Sequence, residues 1–298
     1  MTSKQLFLLG TGRSGTTLLQ RFLNVHEDIM IWGEHSGFLN QLAESYFVLK
    51  DCSSMKEYSY QHVAPSDCKD LRIFYKNPKK WQAWMNWFRP EDLASFYRQQ
   101  LELIFNPEQV CKTKVWGFKE IRYGQNDLVI RFLRDLYPDA IFLSVVRDAL
   151  NVIESQLTTF HQGASRFTRI KRLMQLPILW RIAKLWRDMN NTFVYWTSQD
   201  ANFYFIKYEE FIKDYTIIQE IFDKLGLEII NSQIDVLNLN EGRGSGFKKS
   251  SNQNDRWKKL GFIPAFIAEC IVGKASENFG YKRPSILKVA TFFSRIFN

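Results

Sequence analysis

The sequence predicts an α/β protein with a central parallel sheet flanked by helices. Three observations lead there. Four short apolar runs, Gln5–Leu9, Lys114–Ile121, Ala140–Val146 and Asn202–Tyr208, have the length and composition of buried strands. Helical patterns separate them, the alternation that gives parallel pairing with both sheet faces covered. The first run also passes through a glycine-containing turn straight into an amphipathic segment, "LFLLGTGRSGTTLLQRFL", as a phosphate-binding loop does.

Composition sets the outer limits. The 298 residues suffice for a substantial core, and 45% hydrophobic with 24% charged residues is the balance of a globular chain, which excludes disordered and fibrous classes. A formal charge of +9 favours anionic partners without naming them. Cys52, Cys68, Cys111 and Cys270 are scattered with no CxxC pair, which argues against a zinc ribbon or a disulfide framework and fits reduced thiols. The apolar run before the first glycine is too short for a signal peptide or a membrane span, so a cytoplasmic protein, at most peripheral to a membrane, is expected.

Taken in order, the first strand delivers Gly10 to a loop, and the later strands deliver Lys119, Arg147 and Tyr208 to positions at or near their carboxyl ends. Ligands of such sheets bind at those ends, so one site is expected there. Residues 37–110 read mostly as helix, in "FLNQLAESYFVL", "PKKWQAWMNWF" and "PEDLASFYRQQLELIF", the last opened by Pro90. This block is expected as a helical insertion over the active-site side of the sheet. Trp81, Trp84 and Trp87 recur at helical spacing and would line one face, either as core or as an aromatic acceptor cleft. From Arg166 to Arg187 seven basic residues occur with no acidic one, suited either to a solvated helix face or to an acidic acceptor or membrane headgroups. The closing segment 284–298 is amphipathic and too short to span a bilayer. The whole chain, 1–298, reads as one domain.

A strand, a glycine turn and a helix N-terminus make an anion site, because unpaired N–H groups and the positive end of the helix dipole face the ligand. In nucleoside triphosphatases the loop ends in a lysine followed by Ser or Thr. Here Thr16 stands at the lysine position, before Thr17, and Arg13 lies inside the loop.

These residues resemble the sulfotransferases that use 3′-phosphoadenosine 5′-phosphosulfate. "RSGTTL" is similar to their phosphosulfate loop in the arginine form of the tyrosylprotein and bacterial branches, which implies a P-loop-like fold. In that family a later strand ends in Arg-Asp and a serine follows eight residues after the arginine; "FLSVVRDALNVIESQL" supplies Arg147 and Ser155 at that spacing. A guanidinium and a hydroxyl placed this way can hold a phosphate, although an Arg-Asp pair at a strand end is also a common local salt bridge. Ala149 departs from the Pro or Gly usual after the aspartate. "FIKYEEF" resembles the strand that ends at Tyr208, and "KKSSNQNDRWKKLGF" resembles the segment in which serines and basic residues, here Ser250, Ser251 and Lys258, cover the 3′-phosphate.

The resemblance implies a role for each group. Arg13 with the N–H groups of Ser14, Gly15, Thr16 and Thr17 would hold the 5′-phosphosulfate, and Lys119 would contact the transferring sulfuryl group. The acceptor proton would go to Glu34 or to His35, which sits where the tyrosylprotein branch has its second glutamate. The donor is then 3′-phosphoadenosine 5′-phosphosulfate, the product adenosine 3′,5′-bisphosphate, and no metal is required. The acceptor would be a hydroxyl on a glycan, glycolipid, peptide tyrosine or small alcohol, of acidic or amphiphilic character; no nucleic-acid motif is present. The competing readings are a P-loop kinase or triphosphatase, which the missing lysine disfavours, and a non-catalytic binder of anions or membranes.

Overall fold

The structure is a computed structural model, and it describes residues 3–60, 72, 76, 85–106, 113–160, 175–238 and 259–297. The chain divides into two compact units. The first, Met1–Gly37, Glu108–Asp127 and Asp139–Asn298, carries a five-stranded sheet in the order β2-β3-β1-β4-β5. The strands are β1 (Lys4–Gly10), β2 (Ile29–Trp32), β3 (Val115–Glu120), β4 (Ile141–Val146) and β5 (Phe203–Lys207), and every pairing is parallel. The helices of this unit are α1 (Thr16–Asn24), α6 (Ala149–Phe160), α7 (Leu176–Gln199), α8 (Tyr208–Phe211), α9 (Gln219–Leu225), α10 (Asn231–Asn238), α11 (Phe262–Asn278) and α12 (Ser285–Phe297). The α/β architecture expected from the sequence is the one found, with β2 as an additional strand at the edge.

Why these runs become strands is visible in the sheet's two faces. Alternate side chains point to opposite sides, and both sides are buried, so near-continuous apolar runs result. One face is aliphatic: Leu6, Leu8, Ile141, Leu143 and Val145 pack with Leu19, Phe22 and Leu23 of α1 and with Phe222 and Leu225 of α9. The other face is aromatic, with Phe7 at its centre, 4.8 Å from the Phe118 ring and 5.3 Å from the Phe142 ring. Phe142 in turn stacks on Phe203, against which Phe193 of α7 packs. Gly117 is needed in β3, since a Cβ there would lie 1.8 Å from the Leu6 carbonyl oxygen. Beside the sheet, α6, α7 and α11 share a second core around Ile153, Ala183, Trp186 and Ala268.

The second unit, Phe38–Pro107 and Leu128–Pro138, holds α2 (Leu39–Asp51), α3 (Ser53–Glu57), α4 (Leu93–Phe105) and α5 (Leu128–Leu136). Its core is an aromatic cluster of Tyr46, Tyr97 and Phe132. On α4 the buried positions Leu93, Tyr97, Leu101 and Phe105 recur every four residues, which is why this stretch is a helix with one inward stripe. Burial and the Asp135 carboxylate push the Tyr46 hydroxyl up to about 12. Trp87 corrects the expectation of a tryptophan-lined helix: it lies outside any helix, 64% exposed and stacked on Tyr60. Trp81 and Trp84 lie outside the described residues, as does the 166–174 part of the basic stretch; from Leu176 on it belongs to α7.

Candidate active site

The order β2-β3-β1-β4-β5 fixes where a ligand can sit. From β1 the chain leaves toward β2 on one side, while β4 leads to β5 on the other, so a crevice opens at the carboxyl ends of β1 and β4. Register places Lys119 beside Leu8, Glu120 beside Leu9, Val145 beside Gly10 and Lys207 beside Val146. The residues that follow these positions therefore gather at one edge of the sheet.

The loop between β1 and α1 is held in an unusual backbone shape. Gly15, the residue before α1, has φ 104°, and Arg13 has φ 70°, a conformation that costs a non-glycine residue about 1 kcal/mol or more. Among the described residues one other non-glycine has positive φ, Ser36, at 59°, in the turn after β2. Both strained residues thus belong to the same edge. Gly15 cannot be replaced without movement, because a Cβ would meet the Tyr208 ring at 2.2 Å. The N–H groups of Thr16 and Thr17, in the first turn of α1, have no acceptor within the helix. The Ser14 hydroxyl is buried and has no hydrogen-bond partner among the described residues.

Two other segments close on this loop. The Arg13 Nε donates to the Ser155 hydroxyl of α6 at 3.1 Å, and the Arg147 guanidinium donates to the Arg13 carbonyl at 3.1 Å. Arg147 also lies over the Tyr208 ring, 4.6 Å from its centre. Gln156, one residue beyond Ser155, donates to the Gly12 carbonyl at 2.9 Å. Arg147 itself is positioned by the Trp186 indole, which donates to its carbonyl at 3.0 Å. Asp148 does not pair with its neighbour: its carboxylate binds Arg283 and accepts the Asn151 N–H at the start of α6. The local salt-bridge reading of the Arg-Asp pair is therefore set aside, and the Arg147 side chain faces the loop.

Beyond β3 lies a cluster of charges. Lys119 is almost wholly buried and makes an ion pair of 2.6 Å with Glu34, which also binds Arg122 at 3.2 Å. The His35 ring nitrogen Nε2 is 2.7 Å from the Tyr123 hydroxyl, and Nδ1 is 3.8 Å from the Glu120 carboxylate. Burial, only partly offset by Glu120, pulls the His35 imidazole below its ordinary value. Burial pushes Glu120 upward, but the N–H groups of Ile121, His35 and Gly37 and the Arg122 guanidinium outweigh it and hold the carboxyl below its usual range. Glu120 was not singled out from the sequence; its only signal there is a carboxylate inside an apolar strand, "VWGFKEI".

The structure thus brings Arg13, Ser14, Gly15, Thr16, Thr17, Arg147, Ser155 and Tyr208 together, and Glu34, His35 and Lys119 around the neighbouring strand end. Ser250, Ser251 and Lys258 lie outside the described residues. Among the described residues no group of His, Cys, Asp or Glu is arranged to hold a metal ion. The buried Ser14 hydroxyl, the guanidinium groups of Arg13 and Arg147 and the start of α1 all offer donors, so the site fits phosphate-type oxygens.

No curated protein sequence matches the chain. Its fold is similar to that of the sulfotransferase domain from the Synechococcus PCC 7002 olefin synthase, at 18% identity and a TM-score of 0.51, with 95% of this chain and 97% of that one covered. It is also similar to sulfotransferase STF9 from Mycobacterium avium, at 13% identity and a TM-score of 0.53, over 95% of this chain and 78% of that one. A family model described as "Sulfotransferase family" matches residues 5–231, a span that contains the glycine loop, Lys119, the Arg147–Ser155 segment and Tyr208. The chain belongs to the sulfotransferase family.

Proposed function

We propose that this transferase moves a sulfuryl group from 3′-phosphoadenosine 5′-phosphosulfate to a hydroxyl acceptor and releases adenosine 3′,5′-bisphosphate. The observation that carries the reading is the junction of two anion-binding segments, Arg13 on Ser155 and Arg147 on the Arg13 carbonyl, at the sheet's crevice. A nucleotide with phosphates at two places needs two such segments side by side. When bound, the donor supplies a sulfuryl group whose leaving partner is a phosphate.

The chain's own residues divide the work. Arg13, the Ser14 hydroxyl and the N–H groups from Ser14 to Thr17 bind the 5′-phosphosulfate and stabilise the charge that grows on the leaving phosphate. Arg147 and Ser155 bind the 3′-phosphate, joined by Ser250, Ser251 and Lys258, and Tyr208 supports both Gly15 and Arg147. Lys119 stabilises the sulfuryl oxygens. Glu34 takes the acceptor proton as the acceptor oxygen bonds to sulfur and the sulfur–phosphate oxygen bond breaks; its side chain is 33% exposed, against 11% for His35. His35, packed against Tyr123 and Glu120, holds the turn that presents Glu34.

The acceptor is an acidic or amphiphilic hydroxyl compound, a glycan, glycolipid, peptide tyrosine or small alcohol, and the Arg-Ser-Gly-Thr-Thr form of the loop supports a kinship with the tyrosylprotein and bacterial branches. Transfer of labelled sulfate from the donor to a panel of these acceptors tests the reading. Lys119→Ala and Glu34→Gln should each lower kcat by about a hundredfold or more while leaving product-nucleotide affinity within a few-fold. Magnesium-dependent ATP turnover with no sulfate transfer would reject it in favour of a kinase or triphosphatase.

A further inference from the structure

Helix α12 (Ser285–Phe297) carries an apolar stripe on the side that faces away from the fold. Its inward side packs on α11 through Leu287, Ala290, Thr291 and Ser294, all buried. The packing is close: a Cβ on Gly273 would lie 2.8 Å from both the Thr291 Cα and the Ser294 hydroxyl. The opposite side should then be polar. Instead Ile286, Val289 and Phe292, at helical spacing, are 55%, 56% and 59% exposed, with Phe293 beside them at 40%. A contiguous apolar stripe of this kind marks a surface with an apolar partner.

The charges flanking the stripe have one sign. Residues 282–297 contain Lys282, Arg283, Lys288 and Arg295 and no Asp or Glu. Lys282, Lys288 and Phe292 line one cleft together with Tyr281, Arg295 and Glu277. In that cleft Arg295 is neutralised by a bidentate pair with Glu277, and Arg283 is occupied by Asp148 and Glu269. Lys282 and Lys288 form no ion pair among the described residues, which leaves two ammonium groups beside the apolar stripe.

We propose that α12 is an interfacial helix that docks this protein on the surface of an anionic lipid bilayer, with the Ile286, Val289, Phe292 and Phe293 side chains in the acyl boundary and Lys282 and Lys288 on the phosphate headgroups. The charge pattern selects this occupant. A second copy of the chain would bring the same cations against each other across a two-fold axis, with no carboxylate in the segment to meet them. Among the described residues no helix is long and apolar enough to cross a membrane, and the 13 residues of α12 reach about 20 Å against a hydrocarbon core of roughly 30 Å. An amphipathic helix lying in the headgroup plane needs the combination present here, an apolar face plus lysines at its border.

Flotation of the full chain with vesicles tests it. Binding to vesicles containing about a third phosphatidylglycerol, weakening at high salt, and at least tenfold weaker binding to pure phosphatidylcholine are expected. Val289→Ser with Phe292→Ser should lower partitioning by roughly tenfold or more, and Lys282→Glu with Lys288→Glu by about fivefold per site, because these exposed side chains are not needed for packing on α11. Melting temperatures near that of the unaltered chain would certify that the variants fold. No association with anionic vesicles at low salt, or equal association by the serine variant, would overturn the proposal. So would a concentration-dependent dimer, abolished by Phe292→Ser, in a chain that ignores vesicles.

Discussion

The Glu120 carboxylate, fully buried, accepts hydrogen bonds from the N–H groups of His35, Gly37 and Ile121 and from Arg122. It thereby ties the turn carrying Glu34 and His35 to the end of β3. Held below its usual range, the Glu120 carboxyl binds fewer protons in the folded chain than in the unfolded one. Its contribution to stability is present above pH 4.5 and is lost as pH falls through the depressed folded value. Glu120→Gln should cost about 1.5–3 kcal/mol in urea unfolding at neutral pH and flatten the pH dependence below 4.5; an unchanged slope would show that the carboxylate is not the clamp. His35 has the same sign: its imidazole, pulled down from 6.5 first by burial, stays neutral in the folded chain while the unfolded chain takes a proton. Stability should therefore fall on acidification below pH 6.5, and His35→Gln should remove part of that slope. Arg13, Arg147 and Ser155 were legible in the sequence because "RSGTTL" and "FLSVVRDALNVIESQL" resemble the family's motifs in residue type and spacing next to expected strand ends. Glu120 was not, because its hydrogen-bond partners His35 and Gly37 lie more than 80 residues away and nothing in the strand announces them.

The elements differ in how far the sequence foretold them. The strands β1, β3 and β4 are apolar runs buried on both faces, which declares them, whereas β5 at the sheet edge is only part buried and is declared by its aromatic and β-branched residues. Strand β2, four residues at the sheet edge, is too short for periodicity to separate it from a loop. The join between α6 and the C-terminal helices was equally hidden. Arg283 binds Asp148 at the start of α6 and donates to Glu269 of α11 at 2.6 Å, while Tyr281 donates to Glu209 at 2.9 Å. Glu209 closes the group by accepting the Asp148 N–H at 3.1 Å. This buried set steadies the residue next to Arg147. Arg283→Met would leave Glu269 and Asp148 without their counter-charge, and should cost about 3–5 kcal/mol in urea unfolding. A cost near zero would mean that the carboxylates find other partners. Because α11 and Asp148 meet through this arginine, the same variant should also weaken binding of the product nucleotide.

At the scale of the molecule, cationic groups gather at two places. The crevice between β1 and β4 gathers Arg13, Arg147 and the start of α1 at one edge of the sheet, and the C-terminal segment carries Lys282, ahead of α12, and Lys288 on it. The formal charge of +9 was legible from composition, but how its cations divide between the crevice and the C-terminal segment needed the fold. The acceptor was the least legible part, since side chains around a fixed donor site, and not the sheet, select it. A ligand that binds only the folded chain raises its stability, so adenosine 3′,5′-bisphosphate at a hundred times its Kd should add about 2.7 kcal/mol to unfolding. The most direct test of the donor site is calorimetric titration of that nucleotide into the unaltered chain and into Arg147→Ala. Saturable one-to-one binding by the first and at least a tenfold weaker affinity in the second are expected, with magnesium ATP binding neither comparably. Equal affinity of both chains for the bisphosphate, or no binding by the unaltered chain, would contradict this donor site.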